Sequence, residues 1–315
     1  MGRNYESTAV GAVGVELGNS EAEIDRISAF IGNRVSAADA TGVVVNMSGG
    51  LDSTVTAALA VEALGPDRVY GLTLPCNKTG GPHARDAEAL ADALGIEHDT
   101  VHLQPLFSRF GALVPDRFDL HDEPVLAGNL VARLRMAMAY LAANATESLV
   151  LGTTNRSERL LGYLTKHGDG AADLLPIGHL YKTQVTTLAD ALEVPRFVVE
   201  KRPTAGFLPG QYDSEELGAP YHVIDTVLGL ATDRGLDASQ IVEHLDDIDG
   251  EFGEIVDRFD GGDADFDGDA DFDGDAGFEG DKVDRETVER LLARHDRTAH
   301  KRDPAPMPDR PPRRR

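Results

Sequence analysis

Cysteine is nearly missing from this chain: Cys76 is the one example in 315 residues. A single thiol excludes an internal disulfide framework and any zinc site built from several cysteines. Long apolar runs are missing too. No stretch of about 18 consecutive apolar residues occurs, so no membrane-spanning helix is expected. Met1 to Asn19 lacks a basic flank followed by an apolar core, so no secretory leader is expected and a cytoplasmic setting is the default. Basic charge is scarce: six lysines and 24 arginines face 34 aspartates and 20 glutamates, a net charge of −24. Such a surface repels phosphodiester backbones, which removes nucleic acid from the expected partners. At 41% hydrophobic residues the chain still has material for a sizeable core, which excludes global disorder.

The acid-rich, lysine-poor composition resembles that of halophilic cytoplasmic proteins, in which salt screens the self-repulsion. The acid is unevenly placed. Residues 260–281 hold ten acids and no Lys or Arg, and Ala264 to Asp281 reads as three six-residue units, ADFDGD, ADFDGD and AGFEGD. Regular glycine and high charge predict an ordering cost that burial cannot offset, hence a solvated, disordered insert over 246–282 between helices at 237–245 and 284–294. Asp269, Asp271, Asp273 and Gly274 match the start of an EF-hand loop. Gly280 stands where the bidentate glutamate belongs, so a solvated loop is favoured over a weak cation site. Residues 301–315 form a basic, proline-rich tail, and 1–300 reads as one domain containing the insert.

Elsewhere short apolar strands alternate with helices. Ile24, Ile27, Ile31 and Val35 recur at helical spacing over 21–35. Strands are expected at 43–47, 69–74, 97–103 and 148–152, and helices at 53–64, 83–94 and 126–143. This rhythm predicts an α/β fold: an open, mostly parallel, doubly wound sheet with a helical C-terminal extension. Ligands of such sheets bind beyond the carboxyl ends of the strands, which points to 47–53, 74–81 and 152–158.

The strongest local signal is the run Val43-Val-Val-Asn-Met-Ser-Gly-Gly-Leu-Asp-Ser53. An apolar strand enters Ser48-Gly49-Gly50, and a helix begins at about Ser53. Glycine permits close backbone approach and unusual φ, so successive N–H groups can converge on an anion, helped by the helix dipole. Asp52 adds a carboxylate able to hold a magnesium ion already bound to phosphate. No lysine follows the glycines, so the run is not a Walker loop. The plainer alternative is a strand–turn–helix with Asp52 or Ser53 as an ordinary N-cap. Thr79-Gly80-Gly81-Pro82 reads as a turn rather than an anion nest, and Cys76 as a small buried residue.

The SGGLDS run resembles the pyrophosphate-binding loop of the N-type ATP pyrophosphatases, which cleave ATP to AMP and pyrophosphate. A second set of segments narrows the resemblance: Gly152-Thr-Thr-Asn-Arg-Ser-Glu158, Gly162-Tyr-Leu-Thr-Lys-His-Gly-Asp-Gly170, Asp173, Leu180-Tyr-Lys-Thr183, Pro203-Thr-Ala205, Gly210-Gln-Tyr-Asp213 and His300-Lys301-Arg302. In this order they resemble the ammonia-dependent NAD synthetase family, with its adenine nucleotide alpha hydrolase-like fold. The resemblance implies that Asn46, Met47, Ser48, Gly49, Gly50, Leu51, Asp52 and Ser53 bind the ATP phosphates together with Thr153, Lys182 and Thr204. It implies Asp52 and Glu158 as Mg²⁺ ligands, and Arg133, Lys166, Asp173, His300 and Lys301 as the site for deamido-NAD. Asn129, Arg133 and Met136 share the substrate helix face, with Arg135 an equal candidate to Arg133. The family is homodimeric and forms an acyl-adenylate that ammonia converts to the amide. One cysteine in 315 residues leaves no room for a glutamine-hydrolysing domain, so free ammonia is the expected donor. Two rivals remain open: adenylation of a different substrate such as a purine nucleotide, and a non-catalytic nucleotide-binding protein.

Overall fold

The computed structural model describes residues 15–76, 80–115, 117–118, 120, 122–204, 212–247 and 283–304. The acidic repeat, nearly all of the 246–282 stretch, Lys78, Ala205, Gly210-Gln211 and residues 305–315 lie outside the described residues.

Four strands, β1 (Val43–Asn46), β2 (Val69–Thr73), β3 (Glu97–Thr100) and β4 (Leu149–Leu151), form one parallel sheet in the order β3-β2-β1-β4. Val43 pairs with Val69 on one side and with Leu149 on the other. Because side chains alternate across a strand, the valine run of β1 feeds two cores. Val43 and Val45 pack with α1 (Ser20–Ala37), α2 (Leu51–Leu64), α3 (Gly80–Leu94) and α7 (Lys182–Ala191). Val44 packs on the opposite face with Val131, Leu134 and Ala139 of α5 (Pro124–Ala145). The sheet is therefore wound by helices on both sides, as expected.

A third core holds the helical extension: α6 (Arg156–Leu161), α9 (Asp213–Leu217), α10 (Tyr221–Thr232), α11 (Ala238–Asp247) and α12 (Arg285–Arg297) meet around Leu161, Ile224, Leu228 and Leu291. The short helix α13 (Ala299–Arg302) follows.

Some expected element bounds need correction. The third strand ends at Thr100 rather than 103. Gly80, Gly81 and Pro82 form the first turn of α3 instead of a separate turn. Helix α5 would pass as a membrane span by length and composition alone. The polar residues Asn129, Arg133 and Arg135 break its sequence into short runs, so a rule based on unbroken apolar stretches passes over it. Here it lies against β1 and β4.

Candidate active site

Strand order reverses between β1 and β4, so the loops leaving their carboxyl ends diverge and open a crevice between them. That crevice widens into a cavity of about 1240 Å³. Residues 46–48 and 50–53 line it, as do Thr153, Glu158, Lys182 and Thr204. Thus the segments assigned to ATP from sequence converge, although Thr153 and Lys182 lie more than a hundred residues from the loop.

The loop is built by its own hydroxyls. Ser48 and Ser53 Oγ atoms lie 3.0 Å apart, the Ser48 N–H donates to Ser53 Oγ, and the Gly50 N–H donates to Ser48 Oγ. Gly49 adopts φ +75°, and a β-carbon there would lie 2.4 Å from the His83 carbonyl oxygen. Helix α2 starts at Leu51, two residues before the position expected, because Gly50 occupies the N-cap with extended backbone. No side chain caps that end. The first-turn N–H groups at Leu51, Asp52 and Ser53 have no intrahelical acceptor. Neither Asp52 nor Ser53 is the cap, so that part of the plainer reading does not hold.

Asp52 stands at the centre of a buried charge cluster. Lys182 Nζ pairs with its Oδ2, and Asn155 Nδ2 donates to its Oδ1 at 3.1 Å. Asn155 also caps α6: its Oδ1 accepts from the Glu158 N–H at 3.0 Å, while Glu158 Oε2 accepts from the Asn155 N–H at 3.2 Å. Burial, and then the negative charge of Asp52, hold the Glu158 carboxyl well above its usual range. Lys182 is buried as well, but the surrounding carboxylates Asp52 and Glu158 outweigh desolvation and raise its pKa. Asp213 closes the cluster, with the hydroxyls of Tyr163 and Tyr221 each 3.0 Å from its carboxylate oxygens. Asp52 and Glu158, both lining the cavity, form an oxygen donor set that suits Mg²⁺, which binds through one or two carboxylates plus substrate phosphates. Among the described residues no cluster of three or more His, Cys, Asp or Glu side chains could hold a metal alone.

The residues assigned to the dinucleotide do not line this cavity, and four of them form a separate group. Arg133 is exposed and donates to the Lys166 carbonyl at 3.2 Å. Lys166 Nζ in turn reaches the carbonyls of His300 and Asp303. Lys301 Nζ donates to the Gly162 and Leu164 carbonyls at 2.6 and 2.7 Å. Asp173 stands apart at the β4 edge, accepting the Val150 N–H at 2.8 Å. Of the two arginines on α5, it is Arg135 that lines the cavity, with Met136, while its Nε donates to the Leu74 carbonyl at 3.1 Å. Cys76 is buried, as expected.

Sequence reasoning missed several cavity residues. Tyr163 and Asp213 sat inside quoted motifs without a role, and Tyr221 and Asp225 carried no signal at all. Lys201 was also overlooked: its Nζ lies 3.2 Å from the Gly49 carbonyl and 2.8 Å from Asp86. In a chain with six lysines, that scarcity was the available clue.

Known proteins resemble this chain over most of its length. A family model described as NAD synthase matches residues 23–260. The NH3-dependent NAD+ synthetase of Halobacterium salinarum is 44% identical over 222 residues, covering 70% of this chain and 82% of that protein. The enzyme of the same description from Methanosarcina mazei is 46% identical over 210 residues, covering 66% and 81%. Among solved structures, NMN synthetase from Francisella tularensis superimposes with a TM-score of 0.69 at 31% identity, covering 93% of this chain and 99% of that one. The model spans more than half the chain and the identities hold over most of each relative, and on that ground the chain belongs to the NAD synthase family.

Proposed function

We propose that the cavity carries out the ATP-dependent amidation of deamido-NAD by ammonia, releasing AMP and pyrophosphate. One observation carries the reading: the uncapped first turn of α2 opens on the same cavity as Lys182, Asp52 and Glu158. Amide N–H groups of the 48–53 loop hold the leaving diphosphate, with the helix dipole behind them. Thr153 and Thr204 add hydroxyls along the same wall. Lys182 stays charged beside Asp52 and meets the negative charge that builds on the phosphate oxygens when the nicotinate carboxylate attacks the α-phosphorus. Ammonia then attacks the acyl carbon and AMP leaves. Asp52 and Glu158 are the residues that would hold Mg²⁺, which supplies further charge neutralisation at phosphate. Two anionic substrates fixed side by side account for much of the rest of the rate, and no side-chain nucleophile is needed.

Arg133, Lys166, His300 and Lys301 are the residues we assign to deamido-NAD, with Asp173 at the sheet edge. Residues 1–300 act as one catalytic unit, and the cytoplasm is its place of work. We assign a homodimer as the working form, with the exposed apolar side chain of Leu141 on α5 as a contact for the second copy. Leu141, 60% exposed, is the test position. Leu141→Asp should leave monomers in sedimentation, and an unchanged dimer would remove this surface from the interface.

The function is tested with purified protein, ATP, Mg²⁺ and ammonium in molar KCl, offered either deamido-NAD or nicotinic acid mononucleotide. NAD, AMP and pyrophosphate in equal amounts are expected from the dinucleotide, with no response to glutamine. Faster turnover of the mononucleotide, or none of either, would overturn the assignment.

A further inference from the structure

Asp225 is 1% exposed, yet a buried carboxylate is costly unless its oxygens are fully used. Its Oδ1 accepts the Ser157 hydroxyl at 2.5 Å. Its Oδ2 accepts both the backbone N–H and the hydroxyl of Thr183, each at 2.9 Å. The Ser157 hydroxyl accepts the Lys182 N–H at 2.9 Å, closing the ring. One side chain on α10 thus ties the first turn of α6 to the first turn of α7. Ser157 immediately precedes Glu158, and Thr183 immediately follows Lys182.

We propose that Asp225 is a positioning residue for the amidation: by clamping the two helix starts it sets the separation between the Glu158 carboxylate and the Lys182 ammonium. The inference rests on the reading of Glu158 and Lys182 as working groups of the site.

A carboxylate is the side chain that fits this task. It accepts from both sides and has no donor to offer, whereas an amide would present N–H groups to one of the donors. Its burial pushes the Asp225 carboxyl up to about 6, against the downward pull of the bonds from Ser157 and Thr183. The ionised form is therefore a burden on the fold at neutral pH, and what it returns is geometry. A sub-ångström loss of register between charged groups is enough to lower a rate without preventing binding.

Two variants and their combination test this in the full-length protein. Asp225→Asn should lower kcat by about 10- to 100-fold. Its KM for ATP should change less than about twofold and its Tm by no more than a few degrees, because removing the buried charge offsets the bond the amide cannot accept. Ser157→Ala should lower kcat in the same direction, and the double variant should fall no further than the worse single one, since both cut the same clamp. A residue serving only the fold would behave otherwise: Tm would drop, and activity per folded molecule would remain that of the wild type. That outcome, or independent multiplication of the two kcat losses, would overturn the proposal. A wild type without turnover would overturn both this inference and the reading it rests on. An active wild type with an equally active Asp225→Asn would overturn this inference alone.

Discussion

At Gly49 the backbone turns through φ +75°, and the His83 carbonyl fills the space a β-carbon would need. A left-handed residue with a side chain costs roughly 1–2 kcal/mol, before any displacement of the α3 backbone. Gly49→Ala should therefore weaken ATP binding at least tenfold and lower Tm. Gly50 has φ −104°, and its added β-carbon would meet only Ser48 Oγ at 3.4 Å. Gly50→Ala should be far milder in both KM for ATP and melting temperature. Equal losses would mean that the loop shape described here is wrong. The sequence makes both glycines conspicuous but cannot rank them, because the difference lies in α3, which reaches the loop through tertiary packing. The same limit hid Asp225 and Tyr221: each is an ordinary residue in an apolar helix, and its role exists only once α10 meets α6 and α7.

Among the elements, α1 shows how a surface helix is tied to the site-bearing half of the molecule. Glu23 on α1 receives His179 at 2.6 Å and Arg26 at 2.5 Å. Burial alone would raise its carboxyl, but the bonds and charges of His179 and Arg26 prevail and bring it from 4.5 to about 2. A folded-state pKa below the unfolded one contributes stability that is present above pH 4.5 and lost as the pH falls towards 2. Calorimetric unfolding across that window should show a steep acid loss, and Glu23→Gln should flatten it. An unaltered acid slope would contradict the pairing. Element existence was the legible part of the fold, since the valine run of β1 and the isoleucine spacing of α1 are period signals that packing merely confirms. Boundaries were less so. The start of α2 moved to Leu51 because a glycine with extended backbone, rather than a hydroxyl side chain, serves as its cap.

For the whole molecule, the net charge of −24 sets the conditions under which the fold persists. Screening extends about 30 Å at 0.01 M salt and about 3 Å at 1 M, so self-repulsion grows steeply on dilution. Melting temperature should fall by several degrees or more between molar KCl and dilute buffer, most of the fall occurring at the low-salt end. A flat profile would show that the acidic composition is not a salt adaptation. Basic groups, Lys182, Lys201 and Arg135, still line the cavity within this acidic whole, beside the carboxyl groups of Asp52, Glu158 and Asp213. That placement is invisible in composition, because it depends on which of the six lysines the fold gathers at the cavity.

The backbone carbonyls at the end of α6 are held from behind by the last described helices: Arg294 donates to Leu161 at 3.2 Å, Lys301 to Gly162 at 2.6 Å, and Arg302 to Leu160 at 2.6 Å. Helix α6 carries Glu158, so the turn that presents this carboxylate is completed by residues translated more than 130 positions later. A ribosome that stalls before Arg294 releases a polypeptide that holds every residue of the sheet and phosphate loop but leaves that turn unbraced. Such fragments should be able to sequester nucleotide without turning it over, and the cell's proteases would find their opening at residues 159–164.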